Sequence, residues 1–434
     1  DEANLARNLF DLGLTDFFSA PLEHQQYAPP LYLAVAKASG VLFGYGERAL
    51  RLPAMLGGIA CIYGLWRAGK HLGLSWWGFL PVALLFANPE ALRFVGEVKP
   101  YLQPSKKSLL AWGGTGVVAV CVSLPVVFVL AGVGLANFIC TRGPAPDSTP
   151  VTKQISTRNR LRWLVVGTCW LLSFMLLYTL ILQPSVNNDY LHDYHAQWFL
   201  PLPQKDYPWS QLFALIETVP KAAFGFTAIA IFFGLTTALI GFIRAGLYQK
   251  LLLASPIASV ILASAFGFYS LMPRLLLFTL PSWWLFATLG SKYVYEQATL
   301  AQYWRYALLV VWLIVLGGTN VVRHFWSPMK FSDSRLLSTN IEPGYLVLPH
   351  TSALPAYDYY LRIHPAGNEN TEPPQVNYLK YQLPQGRYVG LYDVLTAKGY
   401  RKRMERDSIW AAERGCRVRT EAMYRAARVY YDCE

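Results

Sequence analysis

Long apolar runs, broken by isolated charges and prolines, fill the first three-quarters of the chain. A membrane-crossing helix needs about 20 predominantly apolar residues. Runs of that kind cover Ala49–Trp66, Trp76–Phe94, Leu161–Leu182, Lys221–Ile243, Leu251–Leu271 and Tyr306–Val322. A shorter one, Leu275–Gly290, follows closely on its predecessor. Leu109–Ile139 is too long for one straight crossing and carries Pro125 in its middle, so it reads as one kinked helix or as two short hairpin helices.

Both ends of the chain depart from this pattern. In "DEANLARNLFDLGL", Leu5, Leu9 and Leu12 recur at helical spacing, which fits a helix lying along a membrane surface. Pro29–Pro30 are good helix-start residues for a second interfacial helix of about 15 residues, too short to span comfortably. From about Arg323 the apolar runs stop. "GYLVLPH", "GRYVGLYDVL" and "AARVYYDCE" alternate like strands, and "SALPAYDYYLRIH" and "RDSIWAAERG" read as helices. The expected fold is therefore mainly α: a polytopic membrane helix bundle over residues 1–322, with residues 1–48 as an outer loop, and a small α/β unit over residues 323–434.

Composition agrees, with 54% hydrophobic and 15% charged residues, against roughly a quarter charged in soluble domains. The formal charge of +12 does not call for nucleic acid. Many of the basic residues fall in short loops, where they set topology. With Leu109–Ile139 taken as one crossing, Arg67 and Lys70, Arg142 through Arg162, Arg244 and Lys250, and Lys292 share one side, which is then cytoplasmic. The tail falls on the opposite, extracytoplasmic side of the plasma membrane. Of six cysteines, only Cys416 and Cys433 lie in the tail, where an oxidising compartment would let them pair.

Several charged residues sit where charge is expensive. Arg274 interrupts "LMPRLLLF"; it either snorkels to the interface or serves a site. Glu97 and Lys99 end an apolar run and read as interface punctuation or as a functional pair. Asp1 and Glu2 suit a helix start, which the helix dipole favours. Tyr27 and Tyr101 are ordinary interfacial anchors taken alone, and His24 lies near Tyr27 in sequence. His192 and His195, with Asp189 and Asp193 around them, lack a further ligand, so loop polarity accounts for them better than a metal does. There is no Walker A loop, GxGxxG or nucleophile elbow.

Taken in order, "DEANLARNL", "YAPPL", "GYGERALRLPA", "EVKPY" and "YSLMPRLLLFTLP" resemble the polytopic GT-C glycosyltransferases, in the bacterial branch related to protein O-mannosyltransferases and lipid A aminoarabinose transferase. The resemblance implies transfer of a sugar from a polyprenyl-phosphate donor to a lipid, glycan or protein hydroxyl on the non-cytoplasmic face. It implies a carboxylate base at Asp1, with Glu2 and Glu97 as neighbouring acids. Lys99 and Arg274 would face the donor phosphate, and Tyr101, His24 and Tyr27 would line the substrate site. No metal or other cofactor is implied. The family pattern also carries a membrane helix ahead of the acidic motif and a full helix after the "E-x-K-x-Y" segment. This sequence therefore reads as truncated at its start and shortened after residue 101. A secondary transporter or an inactive scaffold in envelope polysaccharide assembly are the other classes to weigh. The absence of an internal repeat and the gathering of acids at one side speak against the transporter.

Overall fold

The computed structural model describes residues 2–18, 22, 26, 28–88, 109–140, 150–183, 195–200, 209–225, 228–297, 310, 333–339, 341–363, 385–393 and 400–433. Asp1, His24, Tyr27, Glu97, Lys99, Tyr101 and nearly all of the expected span Tyr306–Val322 lie outside these residues.

The amphipathic start forms α1, Glu2–Asp11, and α2, Pro30–Phe43, begins at the paired prolines as expected. The bundle follows with α3 (Glu47–His71), a 3-10 turn at Ser75–Phe79, and α4 (Leu80–Ala87). Next come α5 (Leu109–Val122), α6 (Val126–Cys140) and α7 (Pro150–Leu177). Then come α8 (Trp209–Phe224), α9 (Ala228–Arg244), α10 (Leu247–Ala265) and α11 (Leu280–Gln297). Three described stretches are long and apolar enough to cross a membrane: Glu47–His71, Arg160–Leu180 and Leu247–Ala265. Their outward faces are apolar too. Ile59 is 63% exposed and Leu172 is 63% exposed, a surface that suits lipid and would be a liability in water.

The segment 109–140 turns back on itself. Gly116 and Gly134 both lie against the indole of Trp170 in α7, and the Trp170 Nε1–H donates to the Gly113 carbonyl at 3.1 Å. In one continuous helix the two glycines would stand about 27 Å apart. The reading as a single crossing, which underlay the side assignment of the basic loops, is therefore replaced by a hairpin broken at Ser123–Pro125. The basic stretches around Lys70, Lys250 and Lys292 nevertheless gather at one end. Lys292 donates to the Gly73 carbonyl at 2.9 Å, Gln249 to the Leu72 carbonyl at 3.4 Å, and the His71 and Tyr248 rings meet edge to face. The hairpin leaves that grouping intact because α5 runs alongside α7 in the same direction, Gly113 level with Val166 and Gly116 with Trp170.

Two further runs differ from expectation. Lys221–Ile243 divides at Gly225 into α8 and α9, bent by 94°. Leu275–Gly290 becomes two 3-10 turns, Pro273–Leu275 and Leu277–Thr279, followed by α11. α9 and α11 cross through small residues. A Cβ on Gly241 would lie 1.9 Å from the Phe286 carbonyl oxygen, and one on Gly290 1.9 Å from that of Thr237. Close backbone approach of this kind is how apolar helices gain packing without a hydrophobic driving force.

The C-terminal unit contains a short helix α12 (Ser334–Ser338) and β1 (Leu346–Pro349), α13 (Leu354–Ile363), β2 (Gly386–Tyr392), α14 (Tyr400–Ala412), β3 (Arg417–Met423) and β4 (Ala426–Cys433). The sheet order is β1-β2-β4-β3, with β1 parallel to β2 and the other pairs antiparallel. Alternation assigns Val389 and Leu391 to the face covered by α12 and α13, and Tyr388 and Tyr392 to the face covered by α14. The sequence reading missed β3 because this edge strand is largely exposed and carries Arg417, Arg419 and Glu421. It also missed α12, whose last carbonyls accept from the buried Arg428 guanidinium, which donates to those of Leu336, Leu337 and Thr339. Cys416 and Cys433 are joined by a disulfide that ties the start of β3 to the end of β4.

Two outcomes follow from this packing. Gly241→Leu should destabilise the detergent-solubilised protein by about 3 kcal/mol or more, because a backbone carbonyl cannot rotate away. Gly114→Ala, with nothing within 4 Å, should leave the thermal transition unchanged or raise it. In the oxidised protein, denaturation without reductant should expose four reactive thiols, Cys61, Cys121, Cys140 and Cys169. With the paired cysteines 17 positions apart, Cys433→Ser should cost the C-terminal unit about 3 kcal/mol in chemical unfolding.

Candidate active site

At the end of the bundle away from the basic loops, the chain between α10 and α11 folds into the 3-10 turn that carries Arg274. Pro273 opens the turn, and its missing N–H and fixed φ suit a helix's first position. The turn is braced from within: the Tyr269 hydroxyl donates to the Leu275 carbonyl at 2.9 Å. Tyr269, Phe128 and Phe278 pack as an aromatic group, with centroids 5.0 Å apart for Phe128–Tyr269 and 5.4 Å for Phe128–Phe278. The short segment 195–200 closes over this turn. The Leu271 amide donates to the Trp198 carbonyl at 2.9 Å, and the Leu200 amide to the buried Ser264 hydroxyl at 2.9 Å.

These bonds bring His195 within electrostatic reach of Arg274, 79 positions away in sequence. Burial holds the His195 imidazole below its ordinary pKa, and the positive charge of Arg274 lowers it further. His195 is thus kept neutral near pH 7, able to donate from one ring nitrogen and accept at the other. A half-buried guanidinium with a neutral imidazole within its electrostatic reach is suited to receive an oxyanion. No pattern in the sequence pointed to this pair. His195 read as part of a polar loop because its partner lies across the fold.

The sequence also nominates the acidic start of α1. Glu2 opens this helix and Asp1 immediately precedes it. The helix is held at its far end by α2, where Lys37 Nζ donates to the Leu9 carbonyl at 3.0 Å and also to that of Leu12. A lysine there satisfies the last carbonyls and complements the dipole. Its apolar side, Ala6 and Leu9, joins Phe17, Tyr32, Leu33, Ala36 and Leu50 in one core. The core also takes in Tyr359 of α13, so the C-terminal unit packs directly on α1 and α2. Of the sequence-nominated residues, only Arg274 and the backbone of Glu2 are among those described. Asp1, Glu97, Lys99, Tyr101, His24 and Tyr27 are outside them.

The architecture defines a class, a mainly helical membrane bundle with a small α/β unit packed on its N-terminal helices. No family model and no curated protein matches the sequence. Among solved structures the chain is similar to ArnT from Cupriavidus metallidurans. The crystal structure bound to undecaprenyl phosphate aligns at a TM-score of 0.48 with 13% identity, covering 99% of this chain and 92% of that one. The apo structure aligns at 0.46 with 13% identity, covering 99% and 93%.

The coupling between Arg274 and His195 has a direct readout. In an Arg274→Gln variant the His195 midpoint should move upward, toward but not to its ordinary value, since burial, the larger cause, remains. Titration of the labelled imidazole by NMR checks this. An unchanged or lower midpoint would break the electrostatic link.

Proposed function

We propose that this chain is a GT-C-type glycosyltransferase. It moves a sugar from a polyprenyl-phosphate donor to a lipid, glycan or protein hydroxyl at the membrane face away from the basic loops. The observation that carries the reading is Arg274, held in a braced turn between two apolar helices with His195 within its electrostatic reach. A fixed cation in such a place is costly and suits a phosphate whose charge rises as it leaves. The ordered sequence motifs from "DEANLARNL" to "YSLMPRLLLFTLP" support the same reading.

In the proposed reaction the carboxylate of Asp1, with Glu2 and Glu97 as neighbouring acids, takes the proton of the acceptor hydroxyl. The hydroxyl oxygen attacks the anomeric carbon from the face opposite the phosphate, and the carbon–oxygen bond to the phosphate breaks. Polyprenyl phosphate departs with the electron pair, and the anomeric configuration inverts. Arg274 and Lys99 bind the departing phosphate, while Tyr101, His24 and Tyr27 line the substrate site. The Cys416–Cys433 disulfide supports placing the C-terminal unit in an oxidising, extracytoplasmic compartment. The apolar, lipid-suited bundle supports a multi-pass place in the inner membrane.

Vesicles carrying the full-length protein, supplied with labelled polyprenyl-phosphate sugars, test the proposal. Asp1→Asn should abolish transfer, and Arg274→Ala should lower kcat by about 10²-fold, the usual loss for a missing oxyanion donor. Arg274→Lys should recover part of that loss, because a point charge remains. Equal transfer by Asp1→Asn and the parent protein removes Asp1 as base. Sugar uptake into the vesicles without any transfer supports the transporter instead.

A further inference from the structure

α13 has two working faces. Ala353, just before the helix, then Tyr357 and Leu361 follow at four-residue intervals and pack on the sheet core. Tyr359, Tyr360 and Ile363 lie on the other side, against the core built by α1 and α2. Charged and hydroxyl groups on that second side are matched to partners on the N-terminal segments. Asp358 pairs with Arg7 of α1 at 2.7 Å and with Arg362 of its own helix at 3.4 Å. Arg362 reaches onward to donate to the Asp11 carboxylate at 2.6 Å, and its guanidinium lies over the Phe10 ring. The Tyr360 hydroxyl donates to Glu47 at the start of α3 at 2.5 Å, and that of Tyr359 to the Tyr45 carbonyl at 3.0 Å. Phe10 stacks on Tyr45 at 4.6 Å, which closes the contact.

These contacts grip α1 at Arg7, Phe10 and Asp11, on its C-terminal half. A helix rises about 1.5 Å per residue and is stiff over ten residues, so fixing Arg7 through Asp11 sets where the acidic start of α1 lies. Asp358 is the centre of the arrangement. Its carboxylate answers one guanidinium from each helix, and both Asp358 and Arg7 keep less than a fifth of their side-chain surface exposed, at 17% and 18%. Removing one member of such a pair leaves the other charge without compensation.

We infer that α13 positions α1, with Asp358 and Arg362 as positioning residues that hold the acidic start of α1 for transfer, an inference that rests on the glycosyltransferase reading above. The C-terminal unit would then act on catalysis through the N-terminal helix.

The test uses the full-length protein in vesicles, with two measurements. Hydrogen exchange across residues 2–11 reads docking independently of activity, and steady-state transfer from a polyprenyl-phosphate sugar reads kcat and KM for the donor. In Asp358→Arg, α1 amides should exchange at least tenfold faster. kcat should fall roughly ten- to hundredfold, the range for a displaced reacting group, with donor KM unchanged, since the phosphate site is separate. The exchanged pair Arg7→Asp with Asp358→Arg should restore protection and bring kcat to within about threefold of the parent, which excludes a folding defect at that site. Arg362→Lys should keep most of the rate.

Faster exchange with unchanged kcat overturns the positioning role and leaves the glycosyltransferase reading standing. A fall in kcat that the exchanged pair fails to restore, while protection returns, also overturns it. A parent protein that protects α1 but transfers no sugar from any donor overturns the glycosyltransferase reading, and the positioning role with it.

Discussion

Everything in this molecule is arranged around the expense of putting a charge into hydrocarbon, about 2.5–3.5 kcal/mol for an Asp, Lys or Arg at the centre of a spanning helix. The bundle answers by sorting its ionic groups to its ends. Lys292, Gln249 and His71 meet at one end, where their partners are the Gly73 and Leu72 carbonyls and the Tyr248 ring. Close to that end α9 and α11 pack through Gly241 and Gly290, and the long helices expose side chains such as Ile59 and Leu172 outward. With charge removed from the middle, any that remains at a helix junction needs a built environment. Arg274 has one, in a turn braced by Tyr269 and closed over by the segment that carries His195.

The same constraint explains why the N-terminal helices carry so many paired ions. α1 and α2 lie outside the long apolar helices, so Arg7, Asp11 and Lys37 can each be used for recognition. Asp358 and Arg362 of α13 meet Arg7 and Asp11 there. Burial pushes the Tyr360 hydroxyl well above its usual pKa, and its bond to Glu47 adds to the shift, so it stays protonated as a donor. The outcome is a contact in which the C-terminal unit and the first helix of the chain, some 350 residues apart in sequence, form one assembly.

How much of this was readable beforehand depended on whether a segment had two different faces. α2 starts at Pro30, and α1 follows its leucine spacing, because both carry a local signal that needs no partner. Strands β1, β2 and β4 are short runs rich in Val, Leu and Tyr, and the last two are buried on both faces of the sheet. β3 sits at the exposed edge and carries little hydrophobic signal. Residues 109–139 are apolar all round, so nothing in their periodicity distinguishes a kinked helix from a hairpin. The choice was made by Trp170, which fits between Gly116 and Gly134. Of the candidate site, Arg274 stood out as an isolated charge between apolar runs, whereas His195 had no local mark.

Composition and apolar run length, by themselves, determined a mainly helical membrane chain with a small α/β tail, because burial in lipid and alternation across a sheet are properties of short segments. The tertiary structure alone decided the hairpin at 109–140, the pairing of His195 with Arg274, and the grip of α13 on α1. Each of these rests on side chains that meet across distant segments, and such meetings leave no trace in the order of residues along the chain.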